Sequence, residues 1–233
     1  MSESARHPAR DPLAGSTASR ALSGADTMTP ELSLRPGGAS QQRYDFELIS
    51  SWIPEGARVL DLGCGDGVLL AGLAATRNVK GYGVEIDPAG VLASLAHGVD
   101  VIQLDLETGL SAFGDNTFDF VILSQTLQAM KNTENVLREM LRVGREGIVT
   151  FPNFGYWKHR LDIAMGHMPV SKTLPYQWYD TPNIHLCTVK DFEDLCAKAG
   201  ATILDERVIT GGRQVNVLPN LFGDLAVFRF RGK

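Results

Sequence analysis

Cysteine is scarce in this chain. Its three residues, Cys64, Cys187 and Cys196, are odd in number and form no C-x-x-C pair. That argues against a disulfide framework and against zinc, and it fits free thiols in a reducing cytoplasm. No metal site is expected. Long apolar runs are missing too, so nothing reads as a bilayer span. Residues 1–40 lack the apolar centre of a secretory signal. Positive charge is in deficit: 22 Lys and Arg against 27 Asp and Glu leave a net charge of −5. No basic field or basic stripe gathers nucleic acid. Internal repeats are absent.

The 233 residues, 44% hydrophobic, suffice for one α/β domain with a real core. Residues 1–42 are rich in Ser, Ala, Pro, Gly and Arg without apolar periodicity, and read as a disordered tail ahead of a domain over 43–233. Glu3, Asp11, Asp26 and Glu31 count against a targeting peptide. A start placed upstream of Met28 is the other reading of this stretch.

The rest of the chain is organised around R-V-L-D-L-G-C-G-D-G, Arg58 to Gly67. Val59, Leu60 and Leu62 read as a buried strand, and an apolar helical pattern follows the glycines. Strand, glycine turn and helix open a doubly wound α/β domain. Gly63, Gly65 and Gly67 supply unusual dihedrals and let a ligand approach the backbone. The spacing is D-x-G-x-G-x-G, unlike the G-x-G-x-x-G that seats a pyrophosphate. It resembles the cofactor motif of class I S-adenosylmethionine-dependent methyltransferases, whose ligand has no phosphate and ends in an ammonium and a carboxylate. Asp61 places a carboxylate beside the turn. The bland alternative is a tight strand–helix connection.

Tyr44 to Trp52 reads as a packing helix, with Tyr44 near enough in sequence to lie over the cleft. Glu85, ending a strand over 80–84, suits a ribose diol because a carboxylate only accepts hydrogen bonds; a solvated strand-end acid is the alternative. Asp87 with Pro88 behind it reads as the N-cap of the next helix. A strand is expected over Val99 to Leu104, and the methyltransferase pattern then assigns Asp105 to the adenine amine and Leu106 to the ring. Phe118 to Leu123 reads as a central strand, with Ser124 and Gln125 at its ligand-facing end. A helix after Asn132 and a strand over Gly147 to Phe151 follow. Residues 151–187 then carry Phe151, Phe154, Tyr156, Trp157, Tyr176, Trp178 and Tyr179 with His159, His167 and His185. This aromatic insertion reads equally as a roof over the cleft, meeting substrate or partner, and as a satellite core. Thr188 with Asp191 forms a capping box, and Gly200 ends that helix. Two last strands run from Ala201 to Ile209 and from Leu225 to Phe230.

V-L-D-L-G-C-G-D-G, F-D-F-V-I-L-S-Q-T-L-Q and the aromatic segment closely resemble the methionine biosynthesis protein MetW family over about 43–231. The resemblance implies a mostly parallel seven-stranded sheet with one antiparallel strand and helices on both faces. It also implies binding of S-adenosylmethionine or S-adenosylhomocysteine and a role beside homoserine O-acyltransferase. Methyl transfer needs alignment and sometimes a base, yet the N-P-P-Y motif of amide and nucleobase methyltransferases is absent: F-P-N-F-G-Y stands there. The three histidines are read as structural or surface residues before bases. Catalytic residues stay unassigned. Two functions are carried forward: a ligand-sensing partner of the acyltransferase, and a methyltransferase acting on a small molecule.

Overall fold

A computed structural model describes residues 44–233. The tail read over 1–42 lies outside the described residues. The elements are α1 (Tyr44–Trp52), β1 (Arg58–Leu62), α2 (Val68–Arg77), β2 (Lys80–Glu85), α3 (Pro88–Ala96), β3 (Val101–Gln103), β4 (Phe118–Ser124), α4 (Thr133–Val143), β5 (Gly144–Pro152), α5 (Trp157–Ala164), α6 (Val189–Ala199), β6 (Ala201–Thr210), β7 (Arg213–Gln214), α7 (Pro219–Phe222) and β8 (Leu225–Gly232). Short 3₁₀ turns cover Leu106–Thr108 and Leu127–Ala129.

One sheet runs in the order β3-β2-β1-β4-β5-β8-β6-β7. The pairs β1–β2, β1–β4, β2–β3 and β4–β5 are parallel, and β8 is antiparallel to both β5 and β6. The sheet therefore has eight strands where seven were expected. The added strand is the two-residue β7, which folds back on β6 through Gly211 and Gly212, both at positive φ. A hairpin this short leaves no apolar run to read. β3 is shorter than its expected span, but the ladder continues past it: Gly83 N–H donates to Asp100 O at 2.8 Å and Leu104 N–H to Glu85 O at 3.1 Å. Strand ends are a matter of a residue or two.

Both faces of the sheet are covered, which is why the central strands read as unbroken apolar runs. On one face Leu60, Leu62, Val121 and Val149 pack with Phe192 of α6 and Phe228 of β8. On the other Val59, Ile122, Ile148 and Val227 pack with Ile49 of α1 and Leu73 of α2. Successive residues of one strand alternate between these two cores, as the two-residue period requires. Among the described residues no helix is long and apolar enough to cross a membrane. No cluster of His, Cys, Asp or Glu among them could hold a metal ion.

Candidate functional site

β1 runs into a turn that rests on its neighbour strand. Gly63 and Cys64 both donate their N–H to Val84 O, at 2.7 and 3.0 Å. Gly63, Gly65 and Gly67 take φ of 69°, 60° and 76°, the left-handed region where a side chain is strained. Their surroundings differ. A Cβ added at Gly63 would stand 2.7 Å from Thr126 Oγ1, and one at Gly67 would stand 2.8 Å from Ser94 Oγ. One at Gly65 would meet nothing within 4 Å. The outer glycines are bare because protein presses on them; the middle one is bare and faces open space.

Buried polar groups gather at this end of the sheet. Among the described residues they are Asp45, Asp61, Glu85, Ser94, Thr150, Asn153 and His159, with no lysine or arginine among them. Burying polar side chains is costly unless they are bonded; Asp61, Glu85 and Thr150 lie toward the carboxyl ends of β1, β2 and β5, and Asp45 is bonded at the end of β4. Glu85 is 5% exposed. Its Oε2 accepts from Gly65 N–H at 2.8 Å, and its Oε1 accepts from Ile86 and Asp87 N–H at 2.9 Å each. Asp61, 2% exposed, sits one residue before the end of β1. Asp45, 1% exposed, accepts from Ser124 Oγ and from Gln125 Nε2, both at 3.2 Å.

The structure thus brings together Asp61, the three glycines, Glu85, Ser124 and Gln125. Gln125 sits at φ 50°, held there by its N–H on Thr150 O at 2.9 Å and on Thr150 Oγ1 at 3.0 Å. Asp105 is exposed just beyond Leu104, and its Oδ1 accepts from Glu107 N–H at 2.9 Å, capping the 3₁₀ turn. Leu106 is buried in the core on the α4 and α6 side. Tyr44 packs its ring on the β6–β7 turn, where a Cβ at Gly212 would come 2.4 Å from it. Asp87 caps α3 as read, accepting from Ala89 N–H at 3.2 Å.

Two residues of this end escaped the sequence reading. Asp45 lies about 80 positions from its partners, and nothing local marks it beyond its place at a helix start. Ile86 is 56% exposed directly after Glu85. Its signal was legible: an apolar residue between a strand-end acid and a helix cap, where a loop should be polar.

The aromatic segment divides in two. Phe151 and Pro152 belong to β5, and Phe151 lies stacked at 5.9 Å from Phe228 in the core. His159 is fully enclosed, with Nδ1 3.3 Å from Asn153 O and Nε2 3.1 Å from Ser171 Oγ. Phe154 and Tyr156 pack on its ring at 6.0 and 5.4 Å. Burial holds its pKa below the ordinary 6.5, so it is a neutral anchor of a satellite core. His167 and His185 are exposed. So are Trp178 and Tyr179, each 71%. The end of the segment rests on the turn after Gln125: Ile184 and His185 N–H donate to Gln128 O at 2.8 and 3.0 Å. Burial also raises the thiols, Cys64 to about 11 and Cys187 and Cys196 to about 12, too high for thiolate nucleophiles at neutral pH.

A family model described as methionine biosynthesis protein MetW matches residues 43–230. The bifunctional methionine biosynthesis protein MetXA/MetW of Rhodopirellula baltica is 40% identical over 201 residues, covering 80% of this chain and 32% of that protein. The chain therefore spans about a third of that relative's length. Among solved structures, a Thermotoga maritima S-adenosylmethionine-dependent methyltransferase, possible histamine N-methyltransferase, superposes with a TM-score of 0.60 at 19% identity, covering 82% of this chain and 88% of that one. An S-adenosylmethionine-dependent methyltransferase from Mesorhizobium loti gives 0.61 at 16% identity, with 82% and 98% covered. Likeness at these identities carries the class I methyltransferase fold and no activity.

Proposed function

This chain belongs to the methionine biosynthesis protein MetW family, and on that premise we propose that it binds S-adenosylmethionine or S-adenosylhomocysteine at the first glycine turn. We propose further that it partners and supports homoserine O-acyltransferase in methionine synthesis, in a cytoplasm where its thiols stay reduced. The observation that carries the ligand is the charge of the cleft. Asp45, Asp61 and Glu85 are buried at one end of the sheet with no buried lysine or arginine among the described residues. A pyrophosphate would meet like charge there; an ammonium and a sulfonium meet opposite charge.

Gly63, Gly65 and Gly67 would give the ligand bare backbone, with Gly65 open to it. Asp61 would face the ammonium, and Ser124 and Gln125 the reactive end. Asp105 would take the adenine amine, with Leu106 and Ile86 against the ring. Glu85 already accepts three backbone hydrogen bonds, which leaves about one of a carboxylate's roughly four acceptor positions for a ribose hydroxyl. The bound sulfonium would supply an activated methyl group. Support for the partner comes from the R. baltica relative, whose name joins MetXA and MetW in one protein. Ligand binding shifts the partner's activity only as far as it differs between free and assembled states.

Calorimetry of the full chain with both nucleosides tests the pocket. Saturable binding lost in Asp61→Asn and weakened in Glu85→Gln is expected; no heat with either nucleoside sinks the reading. Acyltransferase activity and co-purification, measured with and without the nucleoside, test the partnership. The aromatic segment is best probed by substitutions at Trp178 and Tyr179, since deleting 151–187 would remove Phe151 and Leu174 from the core.

Methyl transfer to a small acceptor is the second reading. It is favoured by Asp45, a carboxylate held at the end of β4 by Ser124 and Gln125, where a proton can be accepted. Labelled methyl recovered in a metabolite, and lost in Asp45→Asn, would decide for it.

A further inference from the structure

Gln125 closes a ring of hydrogen bonds whose direction is fixed. A carboxylate only accepts, so Ser124 Oγ and Gln125 Nε2 each donate to Asp45 Oδ2, at 3.2 Å. Ser124 has then spent its one proton, so across 3.2 Å Thr150 Oγ1 donates to Ser124 Oγ. Thr150 Oγ1 in turn accepts from Gln125 N–H at 3.0 Å. Both hydroxyls thus use their protons inside the ring. The Gln125 amide has one orientation, because a reversed amide would set its oxygen against the carboxylate. Oε1 is the end turned away from Asp45. It accepts from no group among the described residues, and it is not one of their enclosed polar atoms that lack a partner. It is therefore open at the carboxyl end of β4. The backbone beneath it stands at φ 50°, a conformation a non-glycine residue keeps only where its surroundings enforce it.

We propose that Asp45 is a positioning residue: it holds the Gln125 amide with its oxygen outward, and that oxygen makes the cleft select S-adenosylmethionine over S-adenosylhomocysteine. The inference rests on nucleoside binding at the glycine turn. The two nucleosides differ by one methyl group and one positive charge, both at sulfur. An amide oxygen carries partial negative charge, so it attracts a sulfonium and opposes the lone pairs of a neutral thioether. Asp45 is 1% exposed and acts from behind, through the amide it orients. The site would then answer to the methylated ligand, whether the chain senses that ligand or uses it.

The test is calorimetry of the full chain with each nucleoside, read as the ratio of the two dissociation constants. Partial unfolding weakens both ligands alike, so the ratio reports the amide and not the fold. S-adenosylmethionine is expected to bind about tenfold tighter. Asp45→Asn lets the amide reverse, and Gln125→Met removes its oxygen. Each should bring the two affinities within about twofold of one another, and the double variant should go no further. Gln125→Met carries the test if circular dichroism shows Asp45→Asn unfolded. Equal binding of the two nucleosides by the wild type overturns the proposal and leaves the reading of the glycine turn in place. So does a ratio that survives in Gln125→Met, which would set the carboxylate itself against the sulfonium. Heat with neither nucleoside overturns both.

Discussion

In the turn between β1 and α2, position is set by backbone. Three glycines at positive φ, two N–H groups on Val84 O and a carboxylate clamped by backbone donors leave few side chains to arrange. In the segment after β5, position is set by side chains: the enclosed His159 ring gathers Phe154 and Tyr156, and beyond it Trp178 and Tyr179 stand in solvent. The first region is rigid by local geometry and bare where a ligand can come. The second is held around its buried histidine, by Leu174 in the core and by Ile184 and His185 on Gln128 O, and it offers large apolar surface outward. On the proposed function, the cleft would hold the small molecule and the aromatic segment would present the surface to a partner.

The sharpest break in that comparison is Gly67→Ala. It combines left-handed strain with a Cβ 2.8 Å from Ser94 Oγ, and should cost about 3 kcal/mol in urea unfolding. His159→Ala attacks the other region. Loss of the ring and its two hydrogen bonds should cost about 2 kcal/mol while leaving nucleoside binding in place. The same residue gives a pH signature. Burial depresses its pKa, so the folded state favours the neutral ring. The stability tied to it is complete above the ordinary value of 6.5 and is lost as pH falls through the folded pKa. Thermal melts from about pH 7.5 down to about pH 5 should show a decline that His159→Ala lacks.

Gly65→Ala separates fold from ligand. With open space at its Cβ it should cost only about 1 kcal/mol of stability, yet weaken nucleoside binding at least about tenfold, because the Cβ enters the ligand's space. Equal binding by Gly65→Ala and wild type would falsify the placement of the ligand over this turn. The smallest stability effect belongs to Trp178→Ser with Tyr179→Ser, within about 0.5 kcal/mol. Co-purification with the acyltransferase should nonetheless fall, and a complex of unchanged affinity would remove the aromatic surface from the partnership.

Features enforced by near neighbours in sequence were legible. The glycine turn, the Asp87 cap, the Thr188–Asp191 capping box and the central strands each follow from residues a few positions apart. β7 was missed because two residues on a glycine turn carry no pattern. The sorting of the aromatic segment was equally illegible. His159 and Trp178 lie in similar company along the chain, and only one finds Asn153 and Ser171 to bond it.

By itself the sequence determined a doubly wound domain with a carboxylate and bare backbone at its first turn, because apolar period and glycine placement act within one strand–turn–helix unit. Tertiary structure alone decided that Asp45 joins Ser124 and Gln125, that Glu85 spends most of its acceptor capacity on backbone N–H groups, and that Gln128 keeps a buried oxygen without a donor. The Asp45 contacts, and the Gly65 N–H that joins the adjacent Ile86 and Asp87 N–H on Glu85, depend on which polar groups meet after distant segments pack. Burial, and with it the demand for partners, does not exist until the core has formed.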